Sequence, residues 1–390
     1  MVEHDESRGL TKVKEINQNR TSRAKELRTG GKKVIGYFCI FPPLEMITAL
    51  DMVPYRILGD ISEPITKADS CLPTVVCPFI RSCLDLGLKE HYDFLDGIVW
   101  AHSCDVGEKT ALIWKTYLEP FYFHYIDLPH TTHGFSVQEH KAQIIEFKET
   151  LESFAGVKLT QERLRDAIQA HNKQRSLVRE LYELRKSTPP LISGVETLET
   201  LRALMSIPVD EGNVLLEHIL SEVRNRKNTP HEGVRLLVWG SIIDNSSLIE
   251  MIEELGANIV MDDTCVGSRA YFADVEHASD SLDSLAHHYL VDIKCPRTFR
   301  GLEHNATKKD YFTDLESRFG YLRDYAREWD TKGVILQSLK YCDIHGYEVP
   351  GLKDYFDSVG LPSIYIEHDY NQAALAPLRT RIQAFLEIIS

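Results

Sequence analysis

From about residue 31, short apolar runs alternate with stretches whose apolar residues recur at helical spacing. KKVIGYFCIF reads as a buried strand, PPLEMITALDM as the helix behind it, and VPYRILGD as a second strand. Further on, the apolar run 95–101 is followed by DVGEKTALIWKTYL with helical spacing, then by the aromatic strand FYFHYIDLPHTTH. Strands that alternate with helical patterns indicate βαβ units and a parallel sheet. Over 136–227 the period becomes helical. Thr160 is a plausible N-cap for a long amphipathic run to Lys186, STPPLISG breaks it, and NVLLEHILSEVRNRKN runs up to Thr229-Pro230. A second alternating unit starts at Val234: strand VRLLVWG, helix SSLIEMIEELG, strand ANIVMDD, a long irregular segment, strand GVILQSLKYC, helix LKDYFDSVG, strand PSIYIEHDY and a terminal helix. The expected fold is α/β, with two doubly wound parallel-sheet units of Rossmann or flavodoxin type joined by a helical region. The expected bounds are a polar lead-in at 1–30, a first unit at 31–135, a helical connection at 136–230 and a second unit at 231–390.

A chain of 390 residues has ample length for two such cores. The formal net charge of −14 argues against a nucleic acid or an anionic membrane as the main partner. No apolar run approaches the roughly 20 residues of a membrane span, and the charged N-terminus has no signal-peptide core, so the expected location is cytoplasmic. In that compartment the eight cysteines read as free thiols, metal ligands or catalytic groups in preference to disulfides.

Four of those eight fall between Cys71 and Cys104. Cys77 precedes Pro78 at a helix entrance, where proline is favoured and free backbone N–H groups face the sulfur. Cys104 closes the apolar run 95–101 just before a helix, and Cys342 ends the strand that starts at Gly333. Ligand sites in open parallel sheets lie beyond the carboxyl ends of the strands. Cys77, Cys104 and Cys342 can therefore converge although they are far apart in sequence. Any one cysteine also reads as a small buried hydrophobe, and for Cys39, Cys71, Cys83, Cys265 and Cys295 that is the default.

Glu45, early in the first helix, faces the same edge and is a candidate general acid or base, or a carboxylate stabilised by the helix N-terminus. Asp262 and Asp263 end a strand, and Arg269 beyond them suits a phosphate or carboxylate, or a structural turn. The histidines of HYIDLPHTTH are candidate metal ligands, although such loop histidines are more often solvated. The chain has no G-x-x-x-x-G-K-[ST], no G-x-G-x-x-G after a strand and no C-x-x-C, which removes support for ATP hydrolysis, a dinucleotide site, a zinc ribbon or a dithiol redox motif.

From about Lys33 the chain resembles the 2-hydroxyacyl-CoA dehydratase and benzoyl-CoA reductase family. The resemblance rests on GYFCIFPPLEMITALDMVPYRI, VVCPFIRSCLDLGL, LDGIVWAHSCD, MDDTCVGSRAY with CPRTF, the KYCD strand end and PSIYIEHDY…LRTRIQAFLE, in that order. It implies that Cys77, Cys104 and Cys342 are thiolate ligands of a [4Fe–4S] cluster, with one iron left open, and that Glu45 takes the family's P-x-E position. It further implies an acyl-CoA substrate, a related second subunit or a second copy of the chain, and a separate ATP-dependent iron–sulfur activator.

The implied reaction eliminates water from a 2-hydroxyacyl-CoA. The β-proton is not acidic, so one electron placed on the thioester carbonyl makes a ketyl radical that expels the α-hydroxyl. The β-proton is then far more acidic, and return of the electron leaves the enoyl-CoA. Two relatives of this chemistry remain open: dearomatising benzoyl-CoA reduction, and a low-potential reductase with a double-cubane [8Fe–9S] cluster, for which the six-residue steps between Cys71, Cys77 and Cys83 and the additional Cys295 leave room. A cluster-free scaffold or binding subunit is the alternative of another class.

Overall fold

The computed structural model describes residues 9–276, 280–301 and 311–390. Its eight strands are β1 (Val34–Phe38), β2 (Val53–Arg56), β3 (Gly97–Ala101), β4 (Tyr122–Ile126), β5 (Val234–Gly240), β6 (Ala257–Asp263), β7 (Gly333–Leu339) and β8 (Ser363–His368). They form two four-stranded, all-parallel sheets with the orders β2-β1-β3-β4 and β6-β5-β7-β8. One topology is thus used twice, as expected of two Rossmann-like units. Every residue of β1, β3 and β7 is buried, which explains why β1, β3 and the first four residues of β7 read as apolar runs: both faces of each sheet are covered.

In each sheet the chain order reverses at one place, between β1 and β3 and again between β5 and β7. Such switch points leave a crevice at the carboxyl ends of the two diverging strands, because their connections depart to opposite faces.

Helices Ser136–Ala155, Gln161–Glu183, Gly194–Leu204 and Val209–Asn225 fill the middle of the chain. Thr160 caps the second of these, with its hydroxyl accepting the Arg163 N–H at 3.2 Å. Gly194–Leu204 is absent from the sequence reading. Its start is a capping box in which Ser193 Oγ accepts the Glu196 N–H and the Glu196 carboxylate accepts the Ser193 N–H, both at 3.0 Å. Gln161–Glu183 touches both units. His171 Nε2 lies 2.9 Å from Thr48 Oγ1 in the first, and Tyr182 donates to Asp262 at 2.6 Å in the second.

The lead-in contains two helices, Gly9–Gln18 and Ser22–Thr29, and its residues 1–8 lie outside the described residues. Asn17 and Arg23 hold these helices to Glu199 and Glu211 of the middle region. The segment between β6 and β7, expected to be irregular, contains helices Ser281–His287 and Tyr311–Glu328; its residues 277–279 and 302–310 lie outside the described residues. Polar residues such as Arg318 and Arg323 interrupt the apolar pattern of the longer helix, and they are held by Glu348 and Glu316. Among the described residues no helix is long and apolar enough to cross a membrane.

Candidate metal centre

The carboxyl ends of both sheets open into one cavity of about 340 Å³. Six cysteines line it: Cys39, Cys77, Cys104, Cys265, Cys295 and Cys342. All eight cysteines of the chain are free. Phe38, Phe41, Phe79, Ile80 and Leu339 supply much of the remaining wall, so the thiols sit in an apolar enclosure.

Cys77 caps the helix Pro78–Leu88, with Pro78 in its first position. Burial pushes its thiol up to about 12, against the opposing pull of the Ile80 and Phe79 backbone N–H groups. Cys104 caps the helix Asp105–Leu118, and its Sγ accepts the Gly107 N–H at 3.3 Å. A Cβ at 107 would lie 2.5 Å from Ser103 Oγ, so a larger residue there must turn that hydroxyl aside. Burial raises the Cys104 thiol too. Cys342 follows β7, and its thiol is raised well above the ordinary range by burial and then by the nearness of Cys77; Cys104 adds to this, and the His345 backbone N–H opposes it. The three sequence-selected thiols therefore share one desolvated space. Each faces at least one N–H that favours the thiolate, yet burial keeps the charge unfavourable until a cation is present. That donor set suits a soft, thiolate-ligated metal group.

Cys39, Cys265 and Cys295 form a second set in the same cavity. Cys39 adopts φ 70° directly after β1, a left-handed conformation that is unusual for a side chain. Burial raises its thiol to about 12, Cys265 and Cys295 contribute to the rise, and Arg56 opposes it. Cys265 is likewise raised by burial, with Arg269 as the leading opposing charge. The sequence pattern assigns these cysteines to the core, although two of them stand just beyond strands β1 and β6. The strand-end rule that selects Cys104 and Cys342 would have found both. Cys71 and Cys83 are not on the cavity wall. Cys83 is buried within Pro78–Leu88, so its six-residue spacing from Cys77 does not bring it to the site.

Arg269 is buried, and the carboxylate it meets belongs to its own chain. Its Nε and Nη2 donate to the two oxygens of Asp263 at 3.0 and 3.1 Å, while Nη1 is 3.6 Å from Cys265 Sγ. His130 and Asp105 stand on the cavity wall, and His130 packs edge-on against His102 with ring centres 4.8 Å apart. His124 is turned away to Thr150, and burial lowers it to about 4. Ligand atoms of His102, Asp105 and Glu108 lie within 4.8 Å of one another, a grouping that includes none of the histidines selected from HYIDLPHTTH.

Glu45 is fully buried at the start of helix Leu44–Ala49. Its Oε1 accepts from Arg175 Nη2 at 2.6 Å and its Oε2 from the Tyr289 hydroxyl at 2.8 Å. Burial opposes its charge, but Arg175, with His171 and His288, outweighs burial and holds the carboxyl at about 2. Glu45 is not on the wall of the thiol cavity. Arg175 and Tyr289 line a separate space of about 60 Å³, and Arg56 borders both spaces.

The sequence model of the 2-hydroxyglutaryl-CoA dehydratase D-component matches residues 39–389, from Cys39 through the terminal helix. The chain belongs to this family. Among curated members, a subunit of the benzoyl-CoA reductase of Thauera aromatica is 28% identical over 92% of this chain and 91% of that protein. The (R)-phenyllactyl-CoA dehydratase beta subunit of Clostridium sporogenes is 26% identical over 94% of each. The beta subunit of the lactoyl-CoA dehydratase of Anaerotignum propionicum is 23% identical over 97% of this chain and 98% of that protein. The match therefore takes in every strand except β1 and includes every cysteine on the cavity wall.

Proposed function

We propose that this chain is an iron–sulfur-carrying subunit of a 2-hydroxyacyl-CoA dehydratase, with Cys77, Cys104 and Cys342 as the three protein ligands of a [4Fe–4S] cluster. The observation that carries the reading is the convergence of these three thiols, each with a backbone N–H donor, in one apolar cavity. When bound, such a cluster supplies a low-potential electron and one open Lewis-acid position.

The chain's own contribution is to hold three thiolates and keep water away. The Gly107 N–H and the first-turn N–H groups after Cys77 stabilise sulfur charge, and the aromatic wall excludes solvent that would screen it. Glu45 enters as an ionised acceptor that orients Arg175 and the Tyr289 hydroxyl toward the smaller space beside Arg56. So strongly stabilised an anion is a poor proton donor near neutral pH. The relatives are named as subunits of dehydratases and of a benzoyl-CoA reductase. By that analogy the chain works with a related subunit or a second copy, on an acyl-CoA; the family resemblance of the sequence, not those names, adds a separate ATP-dependent iron–sulfur activator.

One observation favours a second reading, a reductase of the same family with a double-cubane cluster. Cys39, Cys265 and Cys295 share the cavity, with the cationic side chains of Arg56 and Arg269 opposite them. Iron and acid-labile sulfide per chain, after anaerobic purification, decide between the readings. About four irons, lost in Cys77→Ser, Cys104→Ser and Cys342→Ser and kept in Cys39→Ser, support the dehydratase. About twice that number, with loss in Cys39→Ser as well, supports the double cubane. Net use of reductant per product marks a reductase, since the dehydration returns its electron. Absence of iron from the unmodified chain refutes both.

A further inference from the structure

The loop after β7 carries a hydrogen-bonded chain that ends on a thiol. Cys342 Sγ lies 3.4 Å from His345 Nδ1, and His345 Nε2 lies 3.2 Å from Arg269 Nη1. A guanidinium has donors only, so an Nε2 bonded to it accepts and the hydrogen of the neutral ring is then on Nδ1, directed at sulfur. The Gly240 carbonyl, which takes Arg269 Nη2 at 3.2 Å, is a competing acceptor for the ring. Arg269 has little freedom to turn away. Asp263 takes its Nε and Nη2, the Asp263 carbonyl takes Nη2 again at 2.7 Å, and the Tyr321 hydroxyl holds Asp263 Oδ2 at 2.8 Å. The remaining nitrogen, Nη1, addresses a thiol of each set: Cys265 directly at 3.6 Å, and Cys342 through His345. His345 is itself buried against Trp239, with ring centres 5.2 Å apart.

We propose that His345 is a positioning residue of the metal centre: a neutral Nδ1–H donor, locked in that tautomer by Arg269, that hydrogen-bonds the Cys342 thiolate and raises the reduction potential of the group it ligates. This rests on the reading of Cys342 as a ligand. A hydrogen bond to a ligating sulfur withdraws charge from it and favours the more negative, reduced state. Arg269 would act in the same direction on Cys265, so one fixed cation biases both halves of the cavity.

The test is an EPR-monitored potentiometric titration of the anaerobically purified protein, beside its His345→Phe and His345→Asn variants, with iron and sulfide measured in each. The expected result is that His345→Phe lowers the potential by about 59 mV, a tenfold change in a one-electron equilibrium. His345→Asn, whose amide N–H replaces the lost donor, should stay nearer the unmodified value. A His345→Phe protein with full iron and an unchanged potential overturns the proposal.

A second measurement keeps the test sound if that variant loses its cluster. In unmodified protein grown with 15N-histidine, pulsed EPR of the reduced cluster should show coupling to one histidine nitrogen, absent in His345→Asn. Lack of that coupling also overturns the proposal. An unmodified chain without iron refutes the ligand reading and this inference together, whereas an iron-loaded chain with a silent histidine refutes the inference alone.

Discussion

Replacing Glu45 with glutamine keeps the shape of the side chain and removes its charge, leaving Arg175 buried beside a neutral amide. The carboxyl is held at about 2, against an ordinary value of 4.5. At about 1.36 kcal/mol per pKa unit, this difference sets an upper bound of about 3 kcal/mol of native-state stabilisation. Burial lowers His171 to about 4 and His288 to about 3, so both are neutral near pH 7 and leave Arg175 to hold the carboxylate there. The raised pKa of Arg175 describes the same interaction and is not added to it. The magnitude agrees with the ~3–5 kcal/mol lost when one partner is removed from a buried pair.

Because the folded pKa lies below the unfolded one, the stabilisation is fully present above 4.5 and disappears as pH falls through about 2. Linkage then leaves roughly half or less of it by about pH 3. Urea unfolding of both proteins at pH 7 should therefore give the full difference, and the gap should close steadily below pH 4.5. A double-mutant cycle with Arg175→Met should show coupling of the same order. A Glu45→Gln protein within about 1 kcal/mol of the unmodified chain at pH 7, or a difference that does not change with acidity, would refute the ion-pair account and leave only packing.

Three further outcomes follow from the site and its supports. Ser193→Ala removes the capping-box acceptor of Gly194–Leu204 and should lower stability by about 1 kcal/mol, read from the urea midpoint at unchanged slope. Cys83→Ala should leave iron content unchanged, since Cys83 is off the cavity wall; loss of iron there would contradict the geometry. Gly107→Ala places a methyl 2.5 Å from Ser103 Oγ, which must rotate aside, and in ordinary contact with Cys104 Sγ at 3.5 Å, so iron retention after chelator challenge should fall only slightly while far-UV circular dichroism stays native.

Both sheets are legible in the sequence because parallel strands buried on two faces are largely apolar, as in GIVWA and the GVIL that opens β7. Gly194–Leu204 escapes a sequence reading because STPPLISG carries two prolines and a glycine, and its capping box begins with the last Ser-Gly of that loop. Tyr311–Glu328 escapes it because much of its surface is charged. Arg323 pairs with Glu316 inside the helix, but Arg318 pairs with Glu348, 30 residues on, which no local window contains.

For the site, chain order alone assigned Cys77, Cys104 and Cys342 to strand ends and a helix entrance, because those positions follow from local periodicity. It also supplied the motifs by which the family is known. Only the tertiary structure decided which side chains share a space. Two sheets of the same topology turn their switch points toward one cavity, and this brings in Cys39, Cys265 and Cys295 and leaves out Cys71 and Cys83. It likewise made Glu45 the partner of Arg175, 130 residues away, and made His345 the link between Arg269 and Cys342. Local pattern records which face of an element is apolar, whereas the partner of a buried charge or thiol depends on how whole elements pack, and that is set by contacts across the chain.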